Sequence, residues 1–233
     1  MASVFHLDAL NAYPYDYVKI ASADITYRGL IEAAAGTGAH LIVSTGAATL
    51  EEVNRMLGWL DGEQPTLLVC TLSYPCAPSD AHVCRVEGLR VSWPDTGYSD
   101  HTRGITAASV AFERGAVLVE KHFTITPGEG GDHDFAIGPA ELRWLVEDTY
   151  AVDPIGWRTV YGSASFGDIQ PAEQSARRLA RRSIHAAGYI AAGTIVTEEM
   201  VTMLRPGVGR EPWQVDEVIG QRAAHAYAAG DLL

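Results

Sequence analysis

Lysine is nearly missing from this chain. Only Lys19 and Lys121 carry an ammonium among 17 basic residues, and the rest are arginine. Positive charge is itself scarce, since 29 acidic residues leave a formal charge of −12. That excludes non-specific nucleic-acid binding, which needs a basic face. It leaves room for an anionic small molecule, because a local cluster can oppose the global sign. Cysteine is scarce and odd in number. Cys70, Cys76 and Cys84 show no zinc-type pairing, which fits free thiols in a reducing compartment. No apolar run approaches the roughly 18 residues that a membrane span needs. The first residues lack the charged-then-apolar pattern of a signal peptide. A cytoplasmic protein that binds neither nucleic acid nor membrane is expected.

What is present is a chain of 233 residues, 47% of them hydrophobic, enough for one large or two small domains. Apolar strand-like runs at 16–22, 40–45, 66–71, 96–99 and 116–122 alternate with helical patterns. Asp24 or Thr26 is expected to cap a helix through Ala35 that closes at Gly36. Thr49 and Glu52 form a capping box for a helix to about residue 60. A weaker helix follows at 81–91, a small-residue helix at 105–114 and a last clear helix at 139–150. Such alternation means a parallel sheet with right-handed crossovers. A doubly wound sheet and a (β/α)8 barrel both fit. A barrel takes about 250 residues, so five strands and a possible remnant of a sixth imply that the first strands are absent. Residues 1–150 form this domain. Residues 151–180, rich in Gly, Pro and Ser, read as an irregular linker. From 181 to 233 short apolar runs punctuated by glycine suggest a small β-rich module.

Polar residues recur at the C-terminal ends of the strands, where a barrel gathers its chemistry. Side chains alternate faces along a strand, so Ser99 shares a face with His101, and Glu120 with His122. Two imidazoles with few other ligands suit a weakly held divalent ion, manganese better than structural zinc. The bland alternative is that His101 caps a helix and His122 is a satisfied core residue. Lys19, Ser22, Ser44 and Ser99 offer an ammonium and three hydroxyls on successive strand ends, a set suited to phosphate or carboxylate; the alternative is a solvated rim. Tyr74, before Pro75, is either a site residue or a turn former.

These motifs also resemble a known family. KIASADIT at 19–26, LIVSTGAATLEEV at 41–53, CTLSYP at 70–75, GYSDHT at 97–102 and EKHFT at 120–124 are similar to successive signatures of the sialic acid synthase family. GGDHDFAIGPAEL at 130–142 resembles its loop after the last strand, and 181–209 its antifreeze-like (SAF) domain. The resemblance implies an α/β fold, a TIM (β/α)8-type barrel lacking its first strands, followed by a small β-clip SAF domain. It implies condensation of phosphoenolpyruvate with an N-acyl-aminosugar aldehyde, releasing phosphate, with Mn2+ or Mg2+ held by His101 and His122. Lys19, Ser22, Ser44, Ser99 and Lys121 would bind substrate, with Tyr74, Asp132 and Arg205 on the sugar. Glu120 would lie beside the reacting carbons. A homodimer with swapped SAF domains, or a second chain completing the barrel, would be the assembly.

Three departures from the family pattern stand out. Residues 2–10 look like the end of the third barrel strand, with nothing earlier. Leu72 stands where the family usually has Ser or Asn. Arg210-Glu211-Pro212 replaces an apolar run. Besides a split synthase, the departures fit a non-catalytic sugar-phosphate-binding or scaffold descendant, or a reading frame whose start lies upstream.

Overall fold

The computed structural model describes residues 15–147, 154–163 and 165–233. The expected strand remnant at 2–10 lies outside them. Five parallel strands form one sheet: β1 (Tyr17–Ile20), β2 (His40–Ser44), β3 (Thr66–Cys70), β4 (Thr96–Asp100) and β5 (Val119–Lys121), in that spatial order. A doubly wound sheet reverses its strand order at a switch point. Here each strand pairs with the next in sequence and none reverses, so the sheet is a curled part of a TIM-type barrel.

The two faces have different occupants. Val18, Ile20, Leu41, Val43, Leu67, Val69 and Tyr98, alternate residues of four strands, pack against the helices in the main core. Those helices are α1 (Arg28–Ala35), α2 (Leu50–Leu57), α3 (Arg85–Arg90) and α4 (Thr106–Glu113); α5 (Pro139–Val146), after β5, has no buried residue. The opposite face is the barrel interior. There the register sets Cys70 opposite Ser99, and Ser99 opposite Glu120. Gly97 shows how tight this interior is: a β-carbon on it would fall 2.4 Å from the Leu118 carbonyl oxygen and 2.5 Å from Leu68 Cδ2.

Several boundaries differ from the sequence reading. α1 begins at Arg28, with neither Asp24 nor Thr26 capping it. Asp24 instead lies in a 3-10 turn (Ser22–Asp24) and pairs with Arg182 at 2.8 Å. The Thr49/Glu52 capping box forms as expected. The supposed linker is largely structured. It holds α6 (Pro154–Tyr161), a 3-10 turn (Pro171–Glu173) and α7 (Gln174–Ala180). α6 forms because Trp157, Val160 and Tyr161 share one face at helical spacing, and that face joins the main core.

β6 (Ser183–Ala186) and β7 (Val201–Leu204) pair antiparallel and anchor the C-terminal module. Its own core contains Ile184, Ala186, Ile190, Val196, Val218, Ala223 and Leu233. Arginines tie this module to the barrel. Arg177 and Arg181 both pair with Glu52, at 2.7 and 2.5 Å, and the Arg55 guanidinium lies 4.3 Å over the Trp213 ring. No described helix is long and apolar enough to cross a membrane.

Candidate active site

The barrel interior opens at the C-terminal strand ends into a cavity of about 280 Å3. Lys19 reaches it from β1, Ser22 from the turn after β1, and Ser44 from the end of β2. Leu72 and Tyr74 come from the loop after β3, Ser99 and His101 from β4 and its exit, Glu120 and His122 from β5 and its exit. Asp132 comes from a 3-10 turn (Gly131–Asp134), and Arg205 from just beyond β7. Ten of the eleven residues singled out in the sequence therefore line one cavity.

Polar partners show which groups are engaged. Glu120 Oε2 accepts from Ser99 Oγ at 2.7 Å and lies 3.2 Å from Lys19 Nζ. Lys19 also donates to the Ile20 carbonyl at 3.1 Å. Ser22 Oγ accepts from the Gly46 N–H at 3.0 Å. Ser44 Oγ is buried and has no hydrogen-bond partner among the described residues. A buried hydroxyl without a partner is costly, and one lining a cavity marks a place for a ligand atom.

The imidazoles of His101 and His122 lie 5.4 Å apart, centroid to centroid, and the Tyr74 ring lies 4.1 Å from that of His101. Nδ1 of His101 faces the Thr71 carbonyl at 3.0 Å. A carbonyl only accepts, so Nδ1 carries the hydrogen and Nε2 keeps its lone pair. Nδ1 of His122 is 3.5 Å from Asp132 Oδ2. Burial pushes both imidazoles below the usual range, and for His122 the neighbouring His101 adds to the effect. Both are neutral at pH 7, the form that ligates metal. Among the described residues no group of three or more His, Cys, Asp and Glu side chains is poised around a metal.

Cys70 also borders this region, 3.8 Å from His101 Nδ1, and burial pushes its thiol up to about 12. It is a small apolar filler at neutral pH. Burial likewise holds the Tyr74 phenol protonated, well above its ordinary value.

Lys121 does not join the cavity. It is the neighbour of Glu120, so alternation sends it outward, and its ammonium is buried against Asp100 at 2.9 Å and the Thr102 carbonyl. The expectation that it binds substrate is corrected on that ground. Arg205 lines the cavity of its own chain, and the Arg177, Arg181 and Arg182 pairs hold the C-terminal module in that position. Sequence reasoning missed Glu173, whose carboxylate is buried behind the site. Its signal was a capping-box spacing, Gln170 to Glu173, in a segment read as linker.

Comparison with known proteins agrees on a kinship. Residues 1–155 match the NeuB family and residues 181–233 the SAF domain. The chain is 30% identical to an N,N'-diacetyllegionaminic acid synthase of Legionella pneumophila, over 97% of this chain and 65% of that protein. It thus spans about two thirds of that relative's length. Among solved structures, the spore coat polysaccharide biosynthesis protein SpsE of Bacillus subtilis superimposes with a TM-score of 0.83 at 27% identity, over 97% of this chain and 69% of that one. An N-acetylneuraminic acid (sialic acid) synthetase from Leptospira borgpetersenii, in complex with citrate, gives a TM-score of 0.59 at 31% identity, over 75% of this chain and 61% of that one.

Proposed function

This chain belongs to the NeuB family, and on that premise we propose that it joins phosphoenolpyruvate to the open-chain aldehyde of an N-acyl-aminosugar. The products are a nonulosonic acid of the sialic or legionaminic type and inorganic phosphate. The observation that carries this reading is one cavity that combines an ammonium, an unpartnered buried hydroxyl and two neutral imidazoles around a carboxylate.

Carbon 3 of phosphoenolpyruvate forms the new bond to the aldehyde carbon, and the aldehyde oxygen takes a proton to become a hydroxyl. Water adds to carbon 2 and loses a proton. The bond between carbon 2 and the phosphate oxygen then breaks, leaving a ketone and phosphate. Lys19, Ser22, Ser44 and Ser99 hold the carboxylate and phosphate of phosphoenolpyruvate through charge-assisted hydrogen bonds. Glu120, steadied by Ser99 and Lys19, faces the positive charge that develops at carbon 2 and accepts the proton from water. Tyr74, Asp132 and Arg205 form the outer wall, where the sugar's polar substituents would lie. His101 and His122 fit a divalent ion such as Mn2+ or Mg2+, since both are neutral and His101 is locked in the tautomer that presents Nε2. When bound, such an ion supplies a Lewis acid for an aldehyde oxygen.

The test is to incubate the purified chain with phosphoenolpyruvate, Mn2+ and a panel of N-acyl-aminosugars, following phosphate release and product mass. Phosphate that appears only with both substrates, with a product nine or more carbons long, is the expected result. Phosphoenolpyruvate binding without turnover on any sugar would favour a non-catalytic binding protein. No binding of phosphoenolpyruvate would sink the reading.

A further inference from the structure

Two loops that leave different strands border one wall of the cavity, which Ser44 lines just before the first loop and Leu72 and Tyr74 line on the second. The loop after β2 passes through Gly46 and Ala47, and the loop after β3 through Leu72 to Tyr74. Gly46 lies where they meet: a β-carbon on it would fall 2.9 Å from Ser22 Oγ, 2.9 Å from Cys70 Sγ and 3.2 Å from Leu72 Cβ. Ala47 has φ of +52°, a left-handed conformation that a β-carbon disfavours. Something outside the loops must hold them there.

That something is Glu173. Its side chain arrives from the 3-10 turn ahead of α7, far along the chain, and is only 1% exposed. Its Oε1 accepts from the Ala47 N–H at 2.7 Å and from the Leu72 N–H at 2.9 Å. Its Oε2 accepts from the Gln170 N–H at 2.9 Å, which fixes its own approach. The other backbone group of Ala47 is also held. The Ala47 carbonyl accepts from Arg181 Nη2 at 2.8 Å and from Arg177. One carboxylate oxygen therefore bridges two substrate-facing loops, and the left-handed residue between them is gripped at both N–H and C=O.

We infer that Glu173 is a positioning residue that sets the loops after β2 and β3, and so places Ser22 and Ser44 for the anionic substrate and Tyr74 for the sugar. It acts through the backbone of Ala47 and Leu72 and touches no substrate itself. The Gly46 N–H carries its effect to the Ser22 hydroxyl. Ser44 lies three residues before Ala47, and Tyr74 two residues after Leu72. The inference rests on the reading that this cavity binds phosphoenolpyruvate, and it deepens it: residues 170–182, between the two domains, belong to the site.

The experiment uses the full chain with Mn2+ and measures the phosphoenolpyruvate dissociation constant together with amide hydrogen exchange at Ala47 and Leu72. Glu173→Ala should weaken phosphoenolpyruvate about tenfold or more, as expected on losing charge-assisted hydrogen bonds to the loop backbone. Exchange should quicken at those two amides and not in β3 or β4. Glu173→Gln keeps an oxygen within reach of both N–H groups, so it should recover most of the affinity. A merely structural role would instead lower the folded fraction and leave the affinity of the folded molecules unchanged in both variants, which overturns the inference. Should Glu173→Ala not fold, Glu173→Asp replaces it. Asp is one methylene too short to bridge both loops, and equal affinities for wild type, Gln and Asp would overturn the inference. If wild-type chain binds no phosphoenolpyruvate, the functional reading fails on its own, and unchanged exchange at Ala47 and Leu72 in the variants still overturns the clamp.

Discussion

At the scale of single residues, Ser44 and His122 separate binding from folding. Ser44 Oγ is buried without a hydrogen-bond partner among the described residues, so none of their contacts depends on the hydroxyl. Ser44→Ala should leave the unfolding midpoint unchanged or slightly raised while weakening phosphoenolpyruvate by about tenfold. Calorimetric titration and a denaturation curve on the same sample check both halves. His122→Ala should lower Mn2+ affinity by more than about 100-fold, beyond the usual cost of losing an outer-shell partner, with little loss of stability because the residue is only half-buried. Metal affinity has a predictable pH dependence. Burial lowers the pKa of both imidazoles below 6.5, so protons compete with metal only below the ordinary histidine range. Mn2+ affinity should be flat from pH 8 to about 6.5 and fall at lower pH. A midpoint above 6.5 would contradict the environment described here. The contrast between the two lysines shows what sequence could say. Placing Glu120 and His122 on one face already implied that Lys121 faces the other way, and the motif resemblance outweighed that parity. For Lys19 the parity and the resemblance agreed.

At the scale of elements, the arginines of α7 and its exit are the telling case. Burial alone would raise the Glu52 carboxyl, but hydrogen bonds from Arg177 and Arg181 hold it down to about 2 against an ordinary 4.5. A carboxylate depressed in the folded state adds stability that is present above the unfolded value and is lost as pH falls. Acid unfolding should therefore show a loss between about pH 4.5 and 2 that Glu52→Gln removes. Glu52→Gln itself leaves buried Arg181 with the longer pair to Glu211, at 3.4 Å, in place of two close carboxylate contacts, so it should cost about 3 kcal/mol at pH 7. A chemical denaturation series at both pH values reads this out, and a loss under 1 kcal/mol would contradict it. None of this was legible beforehand. Glu52 was read correctly as the capping partner of Thr49, but a local capping motif does not reveal a second set of partners over a hundred residues away. α6 and α7 were overlooked because Gly156, Pro154 and Pro171 weighed as linker residues. Two of these, Pro154 and Pro171, stand at first turns, where proline is tolerated. Four of the five parallel strands were legible as apolar runs with a polar end; β4, Thr-Gly-Tyr-Ser-Asp, was legible through the GYSDHT motif that it enters.

At the scale of the whole molecule, strand order was the open question. Counting strands could not separate a doubly wound sheet from a barrel; only the sequential pairing of β1 through β5 does. Within the described residues β5 pairs on one side, with β4. Beside it lies a cavity of about 650 Å3, lined by Phe112, Leu142, Leu145 and Val146 among others. An open strand edge next to an apolar hollow favours association. The chain should sediment with a concentration-dependent mass above that of a monomer. Phe112→Lys with Val146→Lys, on residues that are already exposed, should reduce the association and leave phosphoenolpyruvate affinity unchanged. A monodisperse wild-type monomer at all concentrations would refute this.

The double grip on Ala47 bears on how such proteins can be recombined. By sequence and by fold the chain divides near residue 181, where the C-terminal module begins. A chimera joined there would take α7 and Glu173 from one parent and Arg181 and Arg182 from the other. The two halves of the grip would then never have been selected together. The serviceable junction lies earlier, between Tyr161 at the end of α6 and Gln170. An exchange made at that point carries Glu173, Arg177, Arg181 and Arg182 as one cassette, and leaves the recipient barrel to supply Asp24, Glu52, the Ala47 and Leu72 N–H groups and the Ala47 carbonyl.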